Sequence, residues 1–91
     1  MKLQELKVFA KGIRNLLTQQ GIDVTYSQGL DMSGALLGLR CWPEVVAFPE
    51  RVESTHLDLK AAQRLARRLF TQFGVEFAPK WLLQSLEGSD P

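Results

Sequence analysis

A gapless internal repeat constrains this chain more than any other feature. Residues 5–26 read ELKVFAKGIRNLLTQQGIDVTY and residues 58–79 read DLKAAQRLARRLFTQFGVEFAP, at a constant offset of 53. Leu6/Leu59, Lys7/Lys60, Arg14/Arg67, Leu16/Leu69, Thr18/Thr71, Gln19/Gln72 and Gly21/Gly74 are identical. Glu5/Asp58, Lys11/Arg64, Ile22/Val75, Asp23/Glu76 and Val24/Phe77 keep their chemical type. Self-similarity at a fixed period means one supersecondary unit used twice, each copy burying its apolar face against the other. With 91 residues the chain is one domain.

Each copy opens on an amphipathic helix. In the first, Leu3, Leu6, Ala10, Ile13 and Leu17 recur at spacings of three and four over residues 3–20, with Phe9 and Leu16 beside them. Lys7, Lys11 and Arg14 fall on another face. Gly21 follows the last turn, where only glycine enters the left-handed region at little cost. In the second copy the capping-box form Thr55-His56-Leu57-Asp58, with Asp in place of Glu, opens a helix over about residues 57–73. That helix is expected to bury Leu59, Ala62, Leu65, Ala66, Leu69 and Phe73, to expose Lys60, Arg64, Arg67 and Arg68, and to end at Gly74.

Ile22 to Thr25 and Val75 to Phe77 alternate apolar and polar and read as brief strands. Paired antiparallel at a pseudo-twofold axis, GIDV and GVEF would satisfy each other's backbone groups. The alternative is two loops of similar sequence. Ser27 is placed to cap a helix over about residues 27–38, in which Gly34 lets another backbone approach and Gly38 ends the run. Trp42-Pro43-Glu44 reads as a new helix start, running to about Phe48 because Pro49 discourages continuation. Pro79 starts a last helix to about Leu86, and the tail, residues 88–91, is expected to be frayed. The fold class is therefore all-α, or α with a two-stranded β-ribbon, built from two pseudo-symmetric helix–short strand–helix repeats. The single domain, residues 1–91, divides into repeat 1 (about 3–38), a connector helix and loop (about 39–56, with 49–56 linking the repeats) and repeat 2 (about 57–88).

Charge is placed unevenly although it nearly balances. The net charge is +1, but 8 of the 11 basic residues lie on the two repeat helices: Lys2, Lys7, Lys11, Arg14, Lys60, Arg64, Arg67 and Arg68. Only Glu5 and Asp58 oppose them there. Spacing of i, i+4 and i+7 lines cations along one helical face, as contact with phosphates requires. The bland reading of the same pattern is a solvated face opposite an apolar stripe. The near absence of compensating acids on these helices favours phosphate contact through Lys7, Lys11, Arg14, Lys60, Arg64, Arg67 and Arg68.

A second reading is a protein-interaction surface. Trp42, Phe48 and Trp81, with Val45-Val46, are more bulk than a small core readily hides. A protein partner or a homodimer then replaces the nucleic acid. Gly34 to Gly38 followed by a helix at Trp42 has the form of a helix-turn-helix turn. CWPEVVAF offers no Arg, Asn or Gln to read bases, so this unit reads as a packing hairpin.

Enzymatic chemistry finds little material. Cys41 and His56 are the sole cysteine and histidine, so no internal disulfide forms and nothing places a base beside the thiol. Glu44, Glu50, Glu53, His56 and Asp58 cluster around the connector, but loop carboxylates with one histidine are usually solvated surface. No cofactor, metal or small-molecule substrate is expected. The N-terminus is charged and periodic rather than of signal-peptide type, and no apolar run reaches membrane-span length, which points to a cytoplasmic protein without membrane contact.

The stretch LKVFAKGIRNLLTQQGIDVTYSQGLDMSGALLGLRCWPEVVAF resembles a small bacterial helical module. That module accompanies proteins of the glyoxalase superfamily and also occurs in plasmid- and mobile-element-borne proteins. Gly21-Ile22, Tyr26-Ser27-Gln28, Leu30, Gly38 and Trp42 carry the resemblance, over about the first half of the chain. Tyr26 stands where the module commonly has histidine, and Gly29 and Gly34 replace alanines. The module implies no defined activity. Glyoxalase chemistry does not transfer, because it needs a metal held by several His and Glu ligands that this chain lacks.

Overall fold

The computed structural model describes residues 1–87, whose regular elements are all helical, with no strand. The frayed tail expected at residues 88–91 lies outside the described residues. Helix α1 spans Leu3–Gln19 and α2 spans Tyr26–Gly34, extended by a 3₁₀ turn at Ala35–Leu37. Two short helices follow, α3 at Trp42–Ala47 and α4 at Pro49–Ser54. Helices α5, Leu59–Phe73, and α6, Pro79–Glu87, complete the chain.

The two long helices pack as hairpins with the helices that follow them, α1 on α2 and α5 on α6. Across the hairpins, α1 meets α6, while α5 meets α2 and the 3₁₀ turn. Leu6, Ile13, Leu17, Met32, Leu36, Leu37, Leu65, Leu69, Leu82 and Leu86 form the shared core. Such a Leu-rich interior supplies most of what holds so short a chain together.

Two backbone features coincide at the offset of 53. Gly21 and Gly74 both take positive φ, +79° and +70°, and each turns the chain out of its long helix. α2 and α6 then open at the equivalent residues Tyr26 and Pro79. Between them the expected ribbon does not form. The first link is held within its own hairpin instead: the Ile22 N–H donates to Leu17 O at 2.9 Å, and Arg14 Nε donates to Val24 O at 2.8 Å. Val24 and Phe77 turn into the core, so each link serves as a hydrophobic peg rather than a ladder strand.

Several boundaries shift for local reasons. Thr25, not Ser27, caps α2, in a capping box where the Gln28 N–H donates to Thr25 Oγ1 and the Thr25 N–H donates to Gln28 Oε1. Asp58 alone caps α5, accepting from the Ala61 N–H at 2.9 Å. Pro49 starts a helix as well as ending one. It is the first residue of α4, where its missing N–H costs nothing, and α4 buries Val52. At Gly34 the tight neighbour is a side chain rather than the expected backbone: a Cβ there would lie 3.1 Å from Val45 Cγ2, with the Cys41 carbonyl oxygen at 3.5 Å. α3 thereby packs on α2 as a hairpin.

One difference between the repeats has consequences for the surface. α1 buries Leu6, Phe9, Ala10, Ile13 and Leu17. Their counterparts at the offset of 53 are Leu59, Ala62, Gln63, Ala66 and Phe70, of which only Ala62 is fully buried. α5 buries Ala61, Ala62, Leu65 and Leu69 instead, a face displaced by one residue, or about 100° around the helix. Leu59 is exposed and Ala66 and Phe73 are half-buried, against the sequence expectation. The two helix pairs differ in side-chain size where they meet. Ala10 and Gly29 are small enough for α1 and α2 to approach until a Cβ on Gly29 would lie 3.0 Å from Ala10 O. At the equivalent positions Gln63 and Leu82 are bulkier, so α5 rolls by one position.

A candidate nucleic-acid interface

The roll of α5 sorts its cations into two groups. Arg64 Nε and Nη2 both donate to Leu36 O, at 3.1 and 2.6 Å. Arg68 Nη2 donates to Leu39 O at 3.0 Å, and its Nη1 to Arg40 O at 3.1 Å. Arg51, on α4, adds Nε to Leu37 O at 3.2 Å. Three guanidiniums thus close the carbonyls left open where α2 and its 3₁₀ turn end. Cations are favoured there because the aligned peptide dipoles leave partial negative charge. These bonds fix the arginines in place without neutralising them.

Lys60 and Arg67 belong to the other group. Both are exposed, and neither side chain makes a hydrogen bond or ion pair among the described residues. Arg67 is the repeat counterpart of Arg14. Arg14 is tied to the Val24 carbonyl, whereas the roll of α5 leaves Arg67 free.

Together these residues line a groove of about 560 Å³ between α5 and the 3₁₀ turn. Lys60, Arg64, Arg67 and Arg68 supply four positive charges, Gln63 and Thr71 supply neutral polar groups, and Ala35 and Gly38 form the far side. No carboxylate lines it. The described ion pair, Arg40 with Glu44 at 3.6 Å, lies on the surface between residues four apart. The groove is therefore a cationic concavity whose inner guanidiniums are held by hydrogen bonds and whose rim cations are exposed and unbonded. It suits phosphate oxygens, since guanidinium forks match them in geometry and lysine supplies a point charge.

The α1 cations lie elsewhere. Lys7 and Lys11 are exposed and without hydrogen-bond or ion-pair partners among the described residues. None of Lys7, Lys11 and Arg14 lines the α5 groove. The structure gathers four of the seven sequence-identified cations, and the α1 three form a separate surface.

The candidate interface residues also divide. Trp42 is half-buried against the core, its backbone N–H donating to Asp31 Oδ1 at 2.8 Å. Phe48 is exposed at the junction of α3 and α4, over a shallow groove with Leu39, Glu50, Arg51 and Ser54. Trp81 is 44% exposed and stacks on buried Phe77, with ring centroids 5.5 Å apart and planes 3° from parallel. Sequence reasoning missed Phe70, the most exposed aromatic ring at 57%. The repeat itself held a misleading signal there, since the equivalent Leu17 is fully buried.

The structure gives the connector's titratable groups separate roles. Asp58 is occupied as a helix cap and Glu44 by Arg40, while Glu50, Glu53 and His56 are exposed. Among the described residues no group of three or more His, Cys, Asp or Glu is placed to hold a metal ion. Nor is any described helix long and apolar enough to cross a membrane. Compared with known proteins, the chain matches no family model, no curated protein and no solved structure.

Proposed function

We propose that this is a small non-enzymatic binding protein of the cytoplasm that contacts nucleic-acid phosphates through the basic groove of α5. The observation that carries this reading is a concavity with four cations and no carboxylate, on a chain whose net charge is only +1. Phosphate contacts release condensed counterions, so binding through such a groove is strong at low salt and falls steeply as salt rises. The two hairpins are read as pseudo-symmetric copies. Reciprocal packing of α1 on α6 and α2 on α5 supports that, as do the matching turns at Gly21 and Gly74.

The test is an anisotropy titration with duplex DNA and single-stranded RNA at low and moderate salt. Charge reversal of Lys60 and Arg67, which make no internal bonds, is expected to abolish binding while leaving the circular dichroism spectrum and Tm intact. Absence of binding by the parent protein at low salt would refute the reading.

A second reading is an interaction module, as an adaptor, inhibitor or subunit, associated with a plasmid or mobile element. Exposed Val46 and Phe48, at 55% and 45%, support it. It predicts a dimer or a stable complex by light scattering.

A further inference from the structure

We propose that the α5–α6 surface is built for single-stranded rather than duplex nucleic acid, with bases stacking on Phe70 and Trp81 while phosphates lie in the basic groove. The proposal rests on the phosphate-binding reading above and names its substrate class.

Three observations carry it. First, the roll of α5 turns Phe70 outward beside the basic groove. A second groove, of about 540 Å³, contains Phe70, Ala66 and Phe77 and shares Gln63 and Arg67 with the first. Arg67 thus stands on the ridge between a cationic concavity and an aromatic one. Second, Trp81 is held in advance. Phe77, buried in the core and lining the aromatic groove, stacks parallel and offset against the Trp81 ring, with centroids 5.5 Å apart, while Trp81 stays 44% exposed. A ring fixed this way loses little freedom when a base stacks on it. Third, charge selects the occupant. α5 carries Lys60, Arg64, Arg67 and Arg68 and no acid within Leu59–Phe73, so a second copy meeting it face to face would set like charges together. Glu76 is the one carboxylate lining the aromatic groove.

Cations tracking a backbone beside exposed aromatic rings are the recurring arrangement for single strands, whose unpaired bases can reach a π-face. In a duplex the bases are already stacked on one another, and the same rings gain nothing. Duplex DNA has the higher charge density, so a preference for the single strand has to come from the aromatic groove.

The experiment compares a fluorescein-labelled oligothymidylate with a duplex of the same length at fixed salt, for the parent protein and for Phe70→Ala, Trp81→Phe and Trp81→Ala. Phe70 is exposed enough for its truncation to leave the fold intact, and Trp81→Phe keeps a ring against Phe77 if Trp81→Ala fails to fold. The single strand is expected to bind more tightly than the duplex and to quench tryptophan fluorescence. Phe70→Ala is expected to weaken it by about 5- to 150-fold while leaving duplex affinity unchanged. Trp81→Phe is expected to retain most of the single-strand affinity. Salt-sensitive binding of both forms with no preference and no effect of Phe70→Ala overturns this proposal and leaves the phosphate reading standing. Failure of the parent to bind either form overturns both. Binding of an acidic peptide, but of neither nucleic acid, would identify the surface as a protein site and also overturn both.

Discussion

Replacing Arg64 separates the two kinds of cation on α5. Arg64 closes the Leu36 carbonyl with two donors, and Leu36 itself is fully buried. Arg64→Met keeps an unbranched apolar stem along the helix while removing every donor. A hydrogen bond involving a charged group contributes about 1.5–3 kcal/mol, and stranding its acceptor costs a similar amount. Arg64 is exposed at its outer edge, so the lower end applies, about 1.5 kcal/mol. For a domain of this size each kcal/mol moves Tm by about 4–8 °C, so the expected loss is about 6–12 °C. Arg67, three positions along the same helix, makes no internal bond, and Arg67→Met is expected to move Tm by less than about 3 °C. Thermal unfolding followed at 222 nm reads both variants under one condition. If Arg64→Met melts within about 2 °C of the parent, or if Arg67→Met falls as far as Arg64→Met, the division into anchoring and free cations is wrong.

Further expectations follow from the packing and the turns. Gly29→Ala forces a Cβ to 3.0 Å from the Ala10 carbonyl, in backbone that cannot give. Overpacking of about 1–3 kcal/mol outweighs a helix-propensity gain of about 1 kcal/mol, so urea denaturation should show a net loss. Gly21→Ala and Gly74→Ala meet no atom within 4 Å, so each pays only for left-handed backbone, and the two should lose the same stability, about 1 kcal/mol. Asp58→Ala should lose about 1 kcal/mol, and Asp58→Asn, which retains an acceptor oxygen, much less. Unequal losses at the two glycines would show that the turns are not equivalent.

The helices were legible because their signals are local. Apolar spacing and Gly21 and Gly74 placed α1 and α5 to within two residues of their observed ends. The links were misread because alternation over three or four residues is the same for a strand and for an apolar peg such as Val24. α4 was missed because Pro49 was taken only as a terminator, although proline also opens helices. The buried face of α5 could not be transferred from α1 by alignment. It depends on the contact of Ala10 with Gly29, and the repeat does not preserve the sizes of those two residues. The same limit hid half the site. The basic stripe was visible residue by residue, but Arg64 and Arg68 find their carbonyls 28 and 29 positions away. Only the fold assigns them to anchoring and leaves the Lys60 and Arg67 side chains without an internal bond.

The central claim is that the α5 groove neutralises phosphates, and the slope of log affinity against log salt tests it most directly. With the four groove cations engaged on duplex DNA the slope should be about −3.6. Lys60→Gln/Arg67→Gln, which leaves the anchored pair in place, should halve it to about −1.8 with Tm unchanged. An unchanged slope would place the contacts on another surface, and no measurable binding would show that these cations are solvated faces of ordinary amphipathic helices.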